Sequence, residues 1–155
     1  MRKQEGFSLI ELLIVVAIIL IIAAIAIPNL LKSKMAANES SAVGSVRTIN
    51  TAEITYSVSC PASGYSATLA ALNTGGGCVA GVGIIDPSLS AGNKSGYTMA
   101  EVGANPIAGG NTTYTVTATP QTVGTTGQRM FCSDQTGVIR YTLAGVGCTV
   151  ASPAL

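Results

Sequence analysis

The sequence predicts an α+β fold in which one long N-terminal α-helix packs on a C-terminal antiparallel sheet of about four strands. Three observations support this prediction: an apolar run near the start, an amphipathic pattern that follows it, and alternating Thr, Tyr and Val residues in the last third of the chain. An amphipathic helix and a half-polar sheet each need a partner for their apolar face, so we expect the two to cover each other.

The apolar run is long enough to cross a bilayer. Residues 12–27 are all apolar, and the wider stretch 7–31 is interrupted only by Ser8, Glu11, Pro28 and Asn29. As a helix, that stretch would be roughly 37 Å long, at about 1.5 Å per residue. A bilayer core is about 30 Å thick. No obvious small-x-small signal-peptidase site follows the run, so we expect it to be retained.

Glu11 is the one acid within this apolar run. A carboxylate near the middle of a spanning helix costs about 2.5 to 3.5 kcal/mol on insertion scales, so it should lie near the interface, be protonated or find a cation. It is either an interfacial residue with no role or a partner for a positive charge. If the chain were cut after Gly6, the new amine of Phe7 would lie four residues before Glu11, on the same helix face.

The stretch Gly6-Phe7-Ser8-Leu9-Ile10-Glu11 resembles the processing site of the type IV pilin superfamily. A short basic leader ends in Gly, Phe follows, and Glu is the fifth residue after the junction. The resemblance implies that a membrane-embedded peptidase cuts between Gly6 and Phe7 and N-methylates Phe7. It also implies that Glu11 and Pro28 serve assembly, and that the chain needs no cofactor.

The resemblance also implies a division of the chain. Residues 1–6 would be the leader, 7–31 the transmembrane and filament-core half of the helix, 32–59 its amphipathic half, and 60–155 a globular head. The precursor would cross the inner membrane once and then enter an extracellular surface filament built from copies of itself. Its partners would be the prepilin peptidase and methyltransferase and the inner-membrane assembly machinery.

Two features of the helix follow from residue chemistry. Pro28 lacks an N–H and removes the hydrogen bond to the carbonyl of Ala24, which predicts a kink or a loosened turn. Beyond it, apolar residues recur at spacings of three and four and predict one buried face, made of Ala42, Val46, Ile49, Ala52 and Tyr56. Cys60-Pro61 should end the helix, because a residue that precedes proline disfavours helical geometry.

The head shows strand patterns after a Gly- and Ser-rich connection. We predict a short helix over 66–72 and strands over 97–102, 112–119, 129–132 and 138–142, with a hairpin turn at 133–137. Asn105-Pro106 and residues 109–111 are expected to form a connection. The buried face of the sheet is expected to carry Tyr97, Tyr114, Val116 and Phe131. The last five residues, 151–155, are expected to be disordered.

Four cysteines follow the apolar run: Cys60, Cys78, Cys132 and Cys148. An even count in a small exported domain indicates disulfides, with three possible connectivities; reduced, buried thiols are the alternative. Zinc is less well supported, because the chain has no His and no CxxC. We favour Cys60 with Cys78 and Cys132 with Cys148, since each closes a local loop worth about 3 kcal/mol. The second loop resembles the disulfide-bounded variable region of many pilins.

The composition weighs against several classes of function. Without His there is no His-based catalysis, and Asp86, Glu101 and Asp134 show no paired setting in the sequence, so we predict no catalytic residues and no enzyme. A formal net charge of +1 indicates no nucleic-acid partner, and no metal site is predicted. The predicted function is a structural filament subunit. A type II secretion pseudopilin and a monomeric membrane-anchored extracytoplasmic binding protein are the alternatives, and the Gly-Phe junction argues against the last.

Overall fold

The computed structural model describes residues 6–74, 83–107 and 110–155. The elements in chain order are the helices and strands α1 (Leu9–Ser59), α2 (Leu69–Thr74), α3 (Pro87–Ser90), β1 (Asn93–Lys94), β2 (Tyr97–Ile107), β3 (Gly110–Pro120), β4 (Arg129–Asp134) and β5 (Arg140–Leu143). The chain forms two compact units, one up to Lys34 and one from Met35 onward, and each is described by itself.

The first unit consists of the N-terminal part of α1. The helix is continuous across Pro28, so the missing N–H does not end it. Among the described residues, α1 is the one helix that is long and apolar enough to cross a membrane, with a mean hydropathy of 3.3 over an 18-residue window of which none is buried. The large apolar side chains from Leu9 to Leu31 are exposed.

In the second unit, the rest of α1 buries the face predicted from its spacing. Ala42, Val46 and Ile49 are fully buried, and Ala52 and Tyr56 nearly so. The same face also buries polar residues that the apolar pattern does not indicate, namely Glu39, Ser45, Asn50 and Glu53. Burial of polar groups is favourable only where they find partners. Ser45 donates to the Ser41 carbonyl within the helix, whereas Glu39, Asn50 and Glu53 bond to groups of the sheet and the connecting segments.

The sheet is antiparallel, with the strand order β1-β2-β3-β4-β5. Four of its strands are those predicted, and the two-residue β1 adds a fifth. The expected connection at Asn105-Pro106 was wrong in extent, because β2 and β3 pair as far as Ile107 with Gly110. Proline is tolerated there because β1 pairs only with the start of β2, which leaves Pro106 on a sheet edge.

The predicted inner face of the sheet is confirmed. Tyr97, Tyr114, Val116 and Phe131 are all at most 1% exposed. The rings of Tyr97 and Phe131 lie 6.0 Å apart, and Tyr114 lies 4.9 Å from the ring of Tyr65. These side chains form the apolar core together with the buried face of α1.

We expect Ile49→Ala to lower the free energy of unfolding by about 2–5 kcal/mol, because it removes a fully buried side chain and leaves a cavity. Ile54 provides a matched control on the same helix, since its side chain is 58% exposed. Ile54→Ala should change stability by less than about 0.5 kcal/mol. Chemical denaturation of the full chain in detergent measures both values, and equal losses would contradict the assignment of the buried face.

A disulfide and two backbone hydrogen bonds hold the C-terminal region against the sheet. The predicted disulfide between Cys132 and Cys148 is confirmed, whereas Cys78 lies outside the described residues and the pairing of Cys60 with Cys78 stays a prediction. The expectation of a disordered tail was wrong. Tyr141 N–H donates to the Pro153 carbonyl (3.0 Å), and Leu155 N–H donates to the Ile139 carbonyl (2.9 Å), so the tail satisfies backbone groups beside β5.

An ion pair joins α1 to the start of β4. The Glu39 carboxylate accepts from the backbone N–H groups of Gln128 (2.9 Å) and Arg129 (3.1 Å), and it pairs with the Arg129 guanidinium at 2.7 Å. Burial by itself raises the pKa of Glu39, but these hydrogen bonds and the arginine charge outweigh it and lower the pKa. The stability from this contact is therefore present above the usual pKa of about 4.5 and lost as pH falls through the lowered value.

Glu39→Gln should consequently lower the free energy of unfolding at neutral pH by about 1–3 kcal/mol. The difference from the unaltered chain should shrink as the pH falls through the lowered pKa of Glu39, because the acid becomes neutral in both states. Arg47→Gln is the control, since Arg47 is exposed on the same helix and forms no ion pair with a described residue. A Glu39→Gln deficit that stays constant with pH would contradict the charged contact.

Candidate processing and assembly segment

The start of α1 is arranged around Glu11. The helix begins at Leu9. The backbone N–H of Ser8 donates to Glu11 Oε2 at 2.9 Å, and the Leu12 N–H donates to the Ser8 carbonyl at 3.3 Å. The Glu11 contact is one half of a capping box, in which the acid at the third helical position binds back to the residue preceding the helix.

The sequence contains a signal for this contact, which the interpretation of Glu11 as a lone acid leaves out. Ser8-x-x-Glu11 has the spacing of a capping box and stands just before an apolar run. The first N–H groups of a helix lack intrahelical partners and carry partial positive charge, so a carboxylate is favourable there. Glu11 thus has a neutral partner within its own chain, and it forms no ion pair with any described residue.

The glycine before the predicted junction is not required by the described structure. A Cβ built on Gly6 would meet nothing within 4 Å, and the backbone there does not adopt the left-handed conformation that favours glycine. Phe7 is 89% exposed and precedes the helix. The Gly6–Phe7 bond therefore lies in an open, non-helical segment, and a demand for glycine at this position must come from outside the chain's own fold.

Comparison with known proteins identifies this segment. Residues 1–27 match a family profile described as the prokaryotic N-terminal methylation motif, and this range contains Gly6, Phe7 and Glu11. A 39-residue stretch is 62% identical to the type IV wide pilus major component PilA4 of Thermus thermophilus. The N-terminal segment is thus similar to that of the type IV pilin superfamily. The processing motif and the first part of the apolar helix lie within the range that this profile covers.

Further relatives extend the comparison within the superfamily. The type IV major pilin protein PilA of Myxococcus xanthus is 46% identical over 54 residues, and the type II secretion system core protein G of Vibrio cholerae is 49% identical over 43 residues. The three matches cover 25%, 35% and 28% of this chain and 30%, 24% and 30% of the respective relatives. The chain thus spans less than a third of their length, and no solved structure matches it significantly.

Proposed function

We propose that this chain is a structural subunit of a type IV pilus-like surface filament. The observation that supports this most directly is the combination, in one segment, of an accessible Gly6–Phe7 bond, a helix that starts two residues later, and an acid in its first turn. In this proposal a peptidase cuts after Gly6 and N-methylates Phe7. The subunit then enters the filament through α1, and inner-membrane assembly machinery carries out that step.

The exposed apolar part of α1 supports assembly through the helix. The large apolar residues from Leu9 to Leu31 are each at least 40% exposed in the single chain. Contiguous apolar surface of this extent marks a site that lipid or protein covers. A precursor anchored in the inner membrane uses lipid as the cover, and a filament uses the helices of neighbouring copies.

Glu11 has a chemical role in this scheme. Cleavage creates an ammonium group on Phe7, and methylation keeps the amine basic while reducing its hydration. The capping contact with Ser8 holds the Glu11 carboxylate beside the chain end, where the ammonium of its own or a neighbouring subunit can pair with it. In a dry helix bundle, loss of one partner leaves an uncompensated charge and costs about 3–5 kcal/mol. The pair would therefore fix the register of packing.

The rest of the chain fits a structural subunit outside the cytoplasm rather than an enzyme. The Cys132–Cys148 disulfide is typical of an oxidising compartment. The three relatives are named as pilus or secretion-system components.

A pilin is favoured over a secretion pseudopilin. Two of the three relatives are named as major pilus components. If the chain resembled the major pseudopilins, we would expect an acidic calcium-binding loop near the C-terminus. No Asp or Glu follows Asp134 in the sequence, so such a loop is not evident. The Asp134 carboxylate already accepts from the backbone N–H and the hydroxyl of Thr136 in the hairpin turn.

Electron microscopy of sheared surface filaments, with mass spectrometry of their subunit, tests the proposal. We expect filaments whose subunit starts at methylated Phe7. A mature chain that stays monomeric and membrane-bound in the presence of the assembly machinery would instead favour an anchored binding protein. Recovery only with overexpressed secretion machinery would favour a pseudopilin.

A further inference from the structure

Two acids that are far apart in the sequence meet in the core of the second unit. Glu53 lies on α1 and is fully buried, and Glu101 lies on β2 and is 6% exposed. Ser66, from the segment that follows α1, stands between them. Its hydroxyl lies 2.6 Å from Glu53 Oε1 and 2.7 Å from Glu101 Oε1, and its backbone N–H donates to Glu53 Oε2 at 2.9 Å. We call Glu53, Ser66 and Glu101 the acid cluster.

A count of protons shows that the acid cluster cannot be doubly ionised in this geometry. A serine hydroxyl carries one proton and can donate one ordinary hydrogen bond. Two ionised carboxylates are acceptors only, so one of the two short contacts would then join two oxygens with no proton between them. If Glu101 carries a proton, it donates to Ser66 Oγ, and Ser66 Oγ donates to Glu53, so both contacts are hydrogen bonds.

The surroundings supply no positive charge in place of that proton. Neither acid forms an ion pair with a described Lys or Arg. Glu101 Oε2 is buried and accepts no hydrogen bond from any residue that the structure describes. A buried carboxyl oxygen without a hydrogen bond costs more free energy when the acid is ionised than when it is neutral.

We propose that the acid cluster binds one proton and that this proton latches the connecting segment at Ser66 to α1 and β2. When the proton leaves, two buried anions face the same hydroxyl, and the latch opens. The proposal concerns the second unit alone, so it does not depend on whether the chain forms filaments. No metal ion or second molecule is needed.

The direction of the Glu101 pKa agrees with this geometry. Burial first, and then the neighbouring Glu53 carboxylate with its negative charge, raise the pKa of Glu101 to about 9, whereas the Ser66 hydroxyl lowers it. The other titratable group that faces the cluster is Tyr114 on β3, with Tyr65 beside it. Burial and the charges of Glu53, Tyr65, Glu101 and Asp134 raise the pKa of Tyr114. A phenol is never cationic, so neither tyrosine supplies a positive charge.

The sign of the effect on stability follows. In the unfolded chain Glu101 ionises near pH 4.5, whereas in the folded chain it keeps its proton up to about pH 9. Between these values the folded state holds one proton more than the unfolded state, so stability falls as pH rises. One proton corresponds to a rise of about tenfold in the unfolding equilibrium constant for each pH unit.

Chemical denaturation of the full chain in detergent, from about pH 5 to about pH 9, tests the latch. We expect the tenfold rise per pH unit in the unaltered chain and almost no pH dependence in Glu101→Gln, whose amide can donate to Ser66 without a titrating proton. Asp86→Asn is the control. Asp86 is exposed and its pKa is lowered, first by its hydrogen bond with Ser88, so it is ionised across this range and its loss should leave the slope unchanged.

Two further measurements keep the test decisive if Glu101→Gln folds poorly. Infrared spectra of the unaltered chain at neutral pH should contain the carbonyl stretch of a protonated carboxyl. Above pH 9 the Ser66 amide should exchange hydrogen faster in the unaltered chain than in Glu101→Gln at the same pH. A flat stability profile with no protonated-carboxyl band would overturn the proposal. So would stabilisation by added Ca²⁺ that Glu101→Gln abolishes, because a cation would then hold the acids together.

Discussion

Cells that carry Glu11→Ala are expected to yield at least about tenfold fewer sheared filaments than cells that carry the unaltered chain. The substitution leaves the Phe7 ammonium unpaired in the helix bundle, and the estimated cost of about 3–5 kcal/mol exceeds the 1.4 kcal/mol that corresponds to a tenfold change. Quantitative blotting of the sheared fraction, set against the total membrane pool, measures the effect. The membrane pool should be undiminished, because a neutral residue inserts more readily than an acid.

Glu11→Gln separates the two roles that the structure allows for this residue. Its side-chain oxygen can still accept from the Ser8 N–H, so the cap is kept while the charge is lost. If pairing with the ammonium drives assembly, Glu11→Gln should fail nearly as badly as Glu11→Ala. Normal filaments from Glu11→Gln would show that the acid only starts the helix and would contradict the pairing role.

Gly6→Val is expected to leave almost all of the chain uncut. A β-branched side chain beside the Gly6–Phe7 bond obstructs the close approach of a peptidase to the backbone, an approach that glycine permits. Mass spectrometry of the membrane fraction should find the leader still attached and Phe7 unmethylated. Gly6→Ala adds only one carbon and should give an intermediate extent of cleavage.

The fold provides the control for this experiment. Because a Cβ at Gly6 meets nothing within 4 Å, Gly6→Val and the unaltered precursor should unfold at the same denaturant concentration. Equal stability with blocked cleavage assigns the glycine to recognition by the peptidase. Full cleavage of Gly6→Val would show that the peptidase does not recognise the residue at this position.

The sequence predicted those parts of the fold that rest on periodicity. The five apolar residues of the α1 face, Ala42 to Tyr56, repeat every three or four positions, and the aromatic and Val residues of the strands alternate, so local spacing alone specifies which side is buried. The local disulfide and the hairpin turn at Gly137, whose φ is +73°, likewise follow from short-range chemistry.

The features that the sequence did not predict depend on long-range contacts. Glu53 and Glu101 are separated by most of the connecting segment and by α2, α3 and β1, and nothing local in either marks it as buried. The apolar periodicity that predicts the buried face of α1 or β2 does not include these acids. Only the tertiary arrangement therefore shows that they meet at Ser66. The order of the tail was missed for the same reason. Its hydrogen-bond partners are Tyr141, on β5, and Ile139, immediately before β5, and nothing in the tail's own sequence indicates them.

The backbone contacts at the two margins of the sheet determine how copies of this chain can join. Beside β5, the bridge between Arg140 and Ala154 occupies groups that a foreign strand would need. At the opposite margin, Met99 N–H donates to the Gly92 carbonyl and Gly103 N–H to the Ala67 carbonyl. Natural sheets that cover their margins in this way resist amyloid-like stacking. A filament of the proposed kind would therefore be joined through side chains rather than by a continuous cross-β ladder.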